Sequence, residues 1–350
     1  MNTYIDIKEE SNYVNFLRIL LIIGVVFTHS AVDVPLPHGY SNYAYNIIFF
    51  QQEVLGEFRV PTFFFLSGYF FFKKENLKFN LSDYKIKIKK RVTTLLIPYI
   101  IWCLIALLLK MGYIFLKTGN LSTLNGIIPI AKSFIFYNGT IIYPFPINGP
   151  LWYIRDLIII TLFSPIIFWT IQLVRKKYII VSILLVIFII LPYLQIPLTL
   201  LYTGLIWFCI GASLSISQKN ILSSLPSQYI YIIYPILVCI NVLLRENIMH
   251  HFFMQITIIG GVLFILRFSW WIYKKCNIQK CNSGSIVMFI YCSHFIVDYV
   301  KPVYINFFSN SHLILAHFMI GITTLLICSL AYMILNKYLH NSLRFLIGNR

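Results

Sequence analysis

The sequence FLRILLIIGVVFTHSA, residues 16–31, is the stretch from which the fold can be deduced. It is an apolar run near the amino terminus, interrupted by Arg18 and His29, and no A-x-A cleavage pattern stands before the next polar stretch. A secretory signal peptide normally has an uninterrupted apolar centre and such a cleavage site. We therefore interpret the run as a retained membrane-spanning helix.

The composition of the whole chain agrees with that interpretation. Of its 350 residues, 59% are hydrophobic and 11% are charged, and the mean hydropathy is +0.79. A soluble protein has about 25% charged residues, so lipid has to cover a surface this poor in charge. The composition predicts an integral membrane protein.

The apolar segments predict the number of crossings. Spanning the hydrocarbon core takes about 20 mostly apolar residues, and the chain contains about ten such segments. They are residues 14–32, 54–72, 93–116, 151–174, 178–195, 199–216, 229–244, 252–271, 285–300 and 313–335. The predicted fold class is all-α, a polytopic transmembrane helix bundle in which residues 1–350 form a single domain.

Lysine and arginine are concentrated in alternate loops. The loop after the second predicted span holds Lys73, Lys74, Lys78, Lys85, Lys87, Lys89, Lys90 and Arg91. Further basic residues follow the fourth, sixth, eighth and tenth spans, whereas the intervening loops have few. Because short cytoplasmic loops carry an excess of Lys and Arg, this alternation predicts that both termini are cytoplasmic.

The formal net charge of +17 could also indicate a nucleic-acid-binding protein. Such proteins have a water-exposed basic face, whereas here the aromatic residues lie inside apolar runs and the basic residues lie between them. We expect no nucleic-acid partner. Most cysteines also lie in apolar runs, and Cys276 and Cys281 have no second pair to complete a zinc site, so no disulfide framework or metal site is predicted.

Ionisable side chains inside the spans are the first functional candidates, because they are costly in a membrane. Arg18 and His29 lie within about 20° of the same helix face and about 16 Å apart along the axis. A guanidinium suits a phosphate at one end, and an imidazole suits proton abstraction from a hydroxyl at the other. Alternatively, Arg18 snorkels to the interface and His29 caps the helix or binds water.

Other candidates occur before the third span. Ser67 and Gly68 form a small step inside an aromatic run, for which close helix packing is the alternative explanation. Lys90 and Arg91 suit either a phosphate or a topology signal. Five histidines fall in predicted loops and tails and are given no role: His38, His250, His251, His312 and His340.

The later spans supply two more positions. Trp152 opens the fourth span at an expected interface, and Arg155 and Asp156 follow it as an expected local ion pair. His294 lies in the ninth span, one turn before Asp298, and this spacing favours a coupled polar pair on one helix face.

Taken in order, these motifs resemble the membrane acyltransferase family 3, which includes O-antigen and exopolysaccharide O-acetylases. The resemblance rests on the Arg18–His29 spacing, VPTFFFLSGY at 60–69, Lys90-Arg91 ahead of Pro98, LWY at 151–153 and IYCSH at 290–294. The ordered set extends from residue 14 to about residue 295 and is more specific than any single motif.

The resemblance implies transfer of an acyl group, usually acetyl from acetyl-CoA, to a carbohydrate hydroxyl in polysaccharide biosynthesis. It assigns the catalytic role to His29, donor binding to Arg18, Lys90 and Arg91, and pocket positions to Ser67, Trp152 and His294. Acyl-CoA is then a substrate, with no bound cofactor, and the acceptor is a cell-surface or lipid-linked glycan. The implied location is the bacterial cytoplasmic membrane.

Two other functions fit the residues. A transporter or flippase for an anionic or glycan-related substrate would use Arg18 and His294 in a central cavity, since intramembrane charges often line substrate paths. A scaffold subunit of an envelope complex would have replaceable buried charges.

Overall fold

The computed structural model of the protein describes residues 7–31, 47–48, 50–51, 55–73, 80–119, 127–139, 144–174, 177–193, 200–244, 247–278, 280–308 and 312–349. Of the basic residues predicted to set the topology, five lie outside these ranges: Lys74, Lys78, Arg175, Lys176 and Arg350.

The described chain is almost entirely helical, as predicted. In chain order the helices are α1 (Ile7–His29), α2 (Arg59–Phe72), α3 (Leu81–Arg91), α4 (Ile97–Thr118), α5 (Ile127–Ser133), α6 (Trp152–Leu162), α7 (Ser164–Leu173), α8 (Lys177–Tyr193), α9 (Leu200–Ile216), α10 (Ile230–Leu243), α11 (His250–Lys275), α12 (Gly284–Ser293), α13 (Val297–Phe307), α14 (Leu313–Tyr338) and α15 (His340–Leu346). A π-helical turn (Val92–Leu96) joins α3 to α4, and 3₁₀ turns occupy Gly149–Leu151, Leu222–Ser224 and His294–Ile296. Two-residue strands, β1 (Asn138–Gly139) and β2 (Pro144–Phe145), pair antiparallel.

Several of these helices are long and apolar enough to cross a membrane. Within the described residues there are five, or six if the bent pair α6–α7 forms one span. The five are Lys8–His29, Leu81–Thr118, His250–Lys275, Gly284–Phe307 and Leu313–Tyr338. Shorter apolar helices occupy Tyr178–Pro192, Leu201–Ile216 and Ile230–Leu243. A multi-pass membrane protein is therefore confirmed, while the count of about ten crossings and the side of the termini stay predictions.

Two predicted spans are broken helices. The segment predicted at 151–174 bends by 60° between α6 and α7, where Pro165 starts the second helix and cannot continue the hydrogen bonds of the first. The segment predicted at 285–300 is interrupted by the 3₁₀ turn at His294–Ile296. Irregular backbone at membrane depth is tolerated where it is buried in protein or lines a cavity.

Close packing of α2 against α9 forms the centre of the bundle. A Cβ atom added to Gly68 would lie 2.0 Å from the carbonyl oxygen of Phe208, and one added to Gly211 would lie 2.0 Å from that of Phe65. Only glycine fits at these two positions, because the backbones of α2 and α9 are in direct contact there. The predicted packing role of Gly68 is confirmed.

A buried carboxylate fixes the start of α1 against its neighbours. Glu10 is fully buried and accepts hydrogen bonds from the Tyr69 hydroxyl at 2.7 Å and from the Ile221 backbone N–H at 3.0 Å. It also forms an ion pair with Lys73. Since buried charges need such partners, Glu10 holds α1, the end of α2 and the turn after α9 in one arrangement.

Candidate functional site

Two cavities share α1 as a wall. The first, here named the Arg18 cavity, has a volume of about 470 Å³ and is lined by Arg18, Ser67, Lys90, Arg91, Tyr291 and Asn349, among others. The second, here named the His29 cavity, has a volume of about 490 Å³ and is lined by His29, Glu57, Arg59, Trp152, His251 and Gln255, among others. Both volumes are in the range of small-molecule sites.

The candidate residues from the sequence divide between these cavities. Four line the Arg18 cavity: Arg18, Ser67, Lys90 and Arg91. His29 and Trp152 line the His29 cavity. His294 lies between the two groups, against His29. The candidates therefore form one continuous region with two compartments.

Aromatic rings and a hydrogen bond hold the arginines of the Arg18 cavity. The Arg18 guanidinium lies 5.4 Å from the centre of the Phe70 ring, and its Nη1 donates to Asn15 Oδ1 at 3.4 Å. The Arg91 guanidinium lies 5.6 Å from the centre of the Phe71 ring. Cation–π contacts of this kind stabilise a cation without neutralising it.

The charge of the Arg18 cavity suits an anionic ligand. Among its described lining residues there is no aspartate or glutamate, whereas Arg18, Lys90 and Arg91 are basic. The first residues of α12, Gly284 and Ser285, also face the cavity, and a helix amino terminus offers N–H groups to an anion. Arginine binds phosphate through paired hydrogen bonds, so the cavity has the chemistry of a phosphate-recognising site.

Arg59 brings a cation to the His29 cavity. Its Nη1 donates to the Gly24 carbonyl oxygen at 2.6 Å and also to the Thr28 hydroxyl. A Cβ atom added to Gly24 would lie 2.3 Å from Arg59 Nε, so the missing side chain at Gly24 makes room for the guanidinium. Arg59 is thereby anchored on the last two turns of α1, beside His29.

A layer of neighbouring side chains, most of them with rings, leads from the Arg18 cavity to His29. Ser67 Oγ, in the Arg18 cavity, lies 2.8 Å from the Tyr153 hydroxyl oxygen. The Tyr153 and Tyr291 ring centres are 5.7 Å apart, and those of Tyr291 and His294 are 5.8 Å apart. His294 in turn lies 5.2 Å from His29, centre to centre. This layer, from Ser67 to His29, is named the partition below.

The hydrogen bonds of His294 determine its tautomer. The ring is fully buried, and Nδ1 lies 3.1 Å from the Ile290 carbonyl oxygen and 2.8 Å from that of Tyr291. Because carbonyl oxygens only accept, Nδ1 carries the proton and Nε2 carries a lone pair. Nε2 is buried and has no hydrogen-bond partner among the described residues.

The predicted pairing of His294 with Asp298 is wrong. His294 is fully buried and packs against His29, whereas Asp298 is exposed. The 3₁₀ turn at His294–Ile296 breaks the α-helical spacing on which the prediction depended. The predicted ion pair of Arg155 with Asp156 is confirmed, with Nη2 and Oδ1 2.8 Å apart.

Sequence reasoning missed other residues of the region. Arg59 carried a usable signal, as an ionisable residue at the start of a predicted span. His251 falls in a predicted loop because the predicted span begins at residue 252, two residues after the observed start of α11 at His250. Tyr153 and Tyr291 appeared only as parts of motifs, and nothing in the sequence indicated that their rings would meet.

Comparisons with known proteins identify the class. The membrane acyltransferase family 3 model, described as an acyltransferase domain, matches residues 11–333. The match covers nearly the whole chain, so the protein belongs to this family, and it is a multi-pass membrane acyltransferase. The predicted family is confirmed.

One curated relative is similar over part of the chain. It is the succinoglycan biosynthesis protein ExoH of Rhizobium meliloti (strain 1021), 32% identical over 165 residues. The aligned stretch covers 44% of this chain and 41% of the relative, which is less than half of either protein. No solved structure matches the chain significantly.

Proposed function

We propose that the protein transfers an acyl group, acetyl as the first candidate, from acyl-CoA to a hydroxyl group of a cell-surface or lipid-linked carbohydrate. Residues 1–350 would act as one unit in the bacterial cytoplasmic membrane, with about ten crossings and both termini in the cytoplasm. The observation that carries the proposal is that a single helix, α1, presents Arg18 to one cavity and His29 to the other.

The Arg18 cavity is proposed as the donor site. Its basic side chains, Arg18, Lys90 and Arg91, would bind the phosphates of acyl-CoA. The thioester arm would then extend along α1 past Ser67 and the tyrosines of the partition toward His29. The axial distance between Arg18 and His29, about 16 Å at 1.5 Å per residue, suits a phosphopantetheine arm.

The His29 cavity is proposed as the acceptor site. Trp152 offers an aromatic face, and His251 and Gln255 offer hydrogen-bonding groups at the rim. A pocket with an apolar surface and a few convergent polar groups is typical of small-ligand sites. The printed name of the relative ExoH concerns the biosynthesis of a polysaccharide, which supports a carbohydrate acceptor here.

In the proposed reaction, His29 removes the proton from the acceptor hydroxyl while the hydroxyl oxygen attacks the thioester carbonyl carbon. The new carbon–oxygen bond forms first, and the negative charge of the tetrahedral intermediate faces the Arg59 guanidinium. The carbon–sulfur bond then breaks, and the proton held by His29 passes to the sulfur of the leaving group. The products are the acylated carbohydrate and free CoA.

The test compares a strain lacking the gene with strains complemented by wild type, His29→Ala, or His312→Ala, an exposed histidine outside both cavities. We expect glycan mass and acyl NMR signals to show acylation with wild type and His312→Ala, and none with His29→Ala at equal expression. Undiminished acylation with His29→Ala would exclude this mechanism.

The two-compartment geometry also favours one rival. A transporter or flippase would bind its anion in the Arg18 cavity and release it through the His29 cavity once the partition opened. This function predicts counterflow of a labelled anion in proteoliposomes without any new ester bond. Acyl transfer from labelled acyl-CoA to a glycan in the same vesicles, without counterflow, would exclude it.

A further inference from the structure

The segment His340–Asn349, which follows α14, reaches the Arg18 cavity with its last residue, Asn349. Leu343 and Ile347 of this segment are each 1% exposed and belong to the main hydrophobic core. The Trp102 indole N–H donates to the Leu346 carbonyl oxygen at 3.0 Å. The segment is therefore fixed to α4 and is part of the folded bundle.

A tight backbone contact joins this segment to the π-helical turn Val92–Leu96. Gly348 has φ of 73°, and a Cβ atom added there would lie 2.6 Å from the Cα atom of Thr94. The turn at Gly348 is closed by the Asn349 N–H, which donates to the Arg344 carbonyl oxygen at 2.6 Å. Only glycine satisfies both the positive φ and the short contact.

The turn that Gly348 touches directly follows the donor-site cations Lys90 and Arg91 at the end of α3. The Thr94 hydroxyl donates to the Lys90 carbonyl oxygen at 2.8 Å, and Thr94, Lys90, Arg91 and Asn349 all line the Arg18 cavity. A π-helical turn is an uncommon conformation that often marks a functional site. A shift of Gly348 would displace Thr94 and, through the hydrogen bond of Thr94 to Lys90, the end of α3.

The family model ends at residue 333, so the segment lies outside the part of the chain that the family defines. We infer that the segment His340–Asn349 is a specificity element of the donor site: Asn349 binds the phosphorylated nucleotide end of acyl-CoA, and Gly348 positions the turn that directly follows Lys90 and Arg91. This inference rests on the proposed function, because it takes the Arg18 cavity to be the donor site.

The first test uses the full-length protein in lipid nanodiscs and measures CoA binding by calorimetry, together with kcat and KM for acetyl-CoA. Gly348→Ala is compared with Gly119→Ala. Gly119 also has a positive φ, 66°, but nothing lies within 4 Å of an added Cβ. Both substitutions introduce the same backbone strain, and only Gly348→Ala adds the clash with Thr94.

We expect Gly348→Ala to raise the Kd of CoA and the KM of acetyl-CoA by about tenfold, equivalent to about 1.4 kcal/mol, with kcat little changed. Gly119→Ala should leave both constants as in wild type. Equal constants in the two glycine variants, with wild-type binding intact, would overturn the positioning role of Gly348.

A second variant covers the case in which Gly348→Ala fails to fold. Asn349→Asp is isosteric and exposed, and it places a carboxylate among the cations of the Arg18 cavity. We expect it to weaken CoA binding by about fivefold to tenfold, since one hydrogen bond to a charged group is lost. Asn306→Asp, at an exposed position on α13, should change nothing.

The failure of the inference and that of the proposed function give different results. If wild type binds CoA and all four variants bind it equally, the segment is not a specificity element. The assignment of the Arg18 cavity as the donor site is then unaffected. If wild type binds neither CoA nor adenosine 3′,5′-bisphosphate, the donor assignment itself is wrong and the inference falls with it.

Discussion

The rings of His29 and His294 lie 5.2 Å apart, centre to centre, with their planes tilted by 47°. The two residues are far apart in the sequence, one in α1 and the other directly after α12. Nδ1 of His294 is directed at two backbone carbonyls. Its Nε2 is consequently a buried acceptor next to the proposed base. Such an acceptor would orient His29 and stabilise its protonated form, as the third group does in a catalytic triad.

That relationship predicts different results for two amide substitutions at His294. His294→Asn keeps a donor near the position of Nδ1 but removes the acceptor at Nε2, whereas His294→Gln places an amide near Nε2. We expect His294→Asn to lower kcat by about a hundredfold with KM for acyl-CoA unchanged, and His294→Gln to restore part of the rate. Full activity in His294→Asn would assign the residue a structural role only.

A second prediction concerns the glycine that accommodates Arg59. Gly24→Ala would place a methyl group 2.3 Å from Arg59 Nε and move the guanidinium away from His29. We expect kcat to fall by about tenfold to a hundredfold, the scale of losing one electrostatic contact in the transition state. Gly112→Ala, where an added Cβ meets nothing within 4 Å, is the control in the same acyl-transfer assay.

A third prediction separates two neighbouring cations on α3. Arg91 lines the Arg18 cavity and lies over Phe71, whereas Lys89 is exposed and outside that cavity. Arg91→Gln should raise the KM of acyl-CoA by about tenfold, since a charged contact to phosphate is lost. Lys89→Gln should have no effect on KM. An equal rise in KM in the two variants would show that the effect comes from general surface charge. Added salt would then reduce it, because salt screens exposed charges.

A fourth prediction tests the buried carboxylate. Glu10→Gln removes one partner of a buried ion pair and should lower the free energy of unfolding by about 3 kcal/mol. Glu9 forms an exposed pair with Lys274, and Glu9→Gln should cost about 0–1 kcal/mol. Thermal unfolding of both variants in the same detergent provides the comparison. Similar melting temperatures would show that Glu10 contributes no more than a surface charge.

The sequence predicted the helical membrane fold, because hydropathy is a local property of the chain. The family resemblance assigned Arg18, Lys90 and Arg91 to donor binding and Ser67 to a pocket, and the structure places all four along one cavity, while their roles stay predictions. His29 and Arg18 belong to the same helix, so their separation followed from helix geometry alone.

What the sequence did not predict depends on contacts between distant segments. His294 meets His29, and Asn349 reaches the Arg18 cavity, only because α12, α14 and α15 pack around α1 and α4. The pairing of His294 with Asp298 failed for a local reason, since a helical spacing was applied across a 3₁₀ turn. The 60° bend at α6–α7 is consistent with Pro165, which starts the second helix.

The partition has a consequence for the electrical insulation of the bilayer. Tyr153, Tyr291 and His294 lie in successive ring contacts from the Arg18 cavity toward His29. In the proposed reaction, a small acyl group on a slender arm would pass beside these rings after modest rotations, whereas a hydrated ion would lose its water shell against them. Acyl transfer would then proceed without an ion leak.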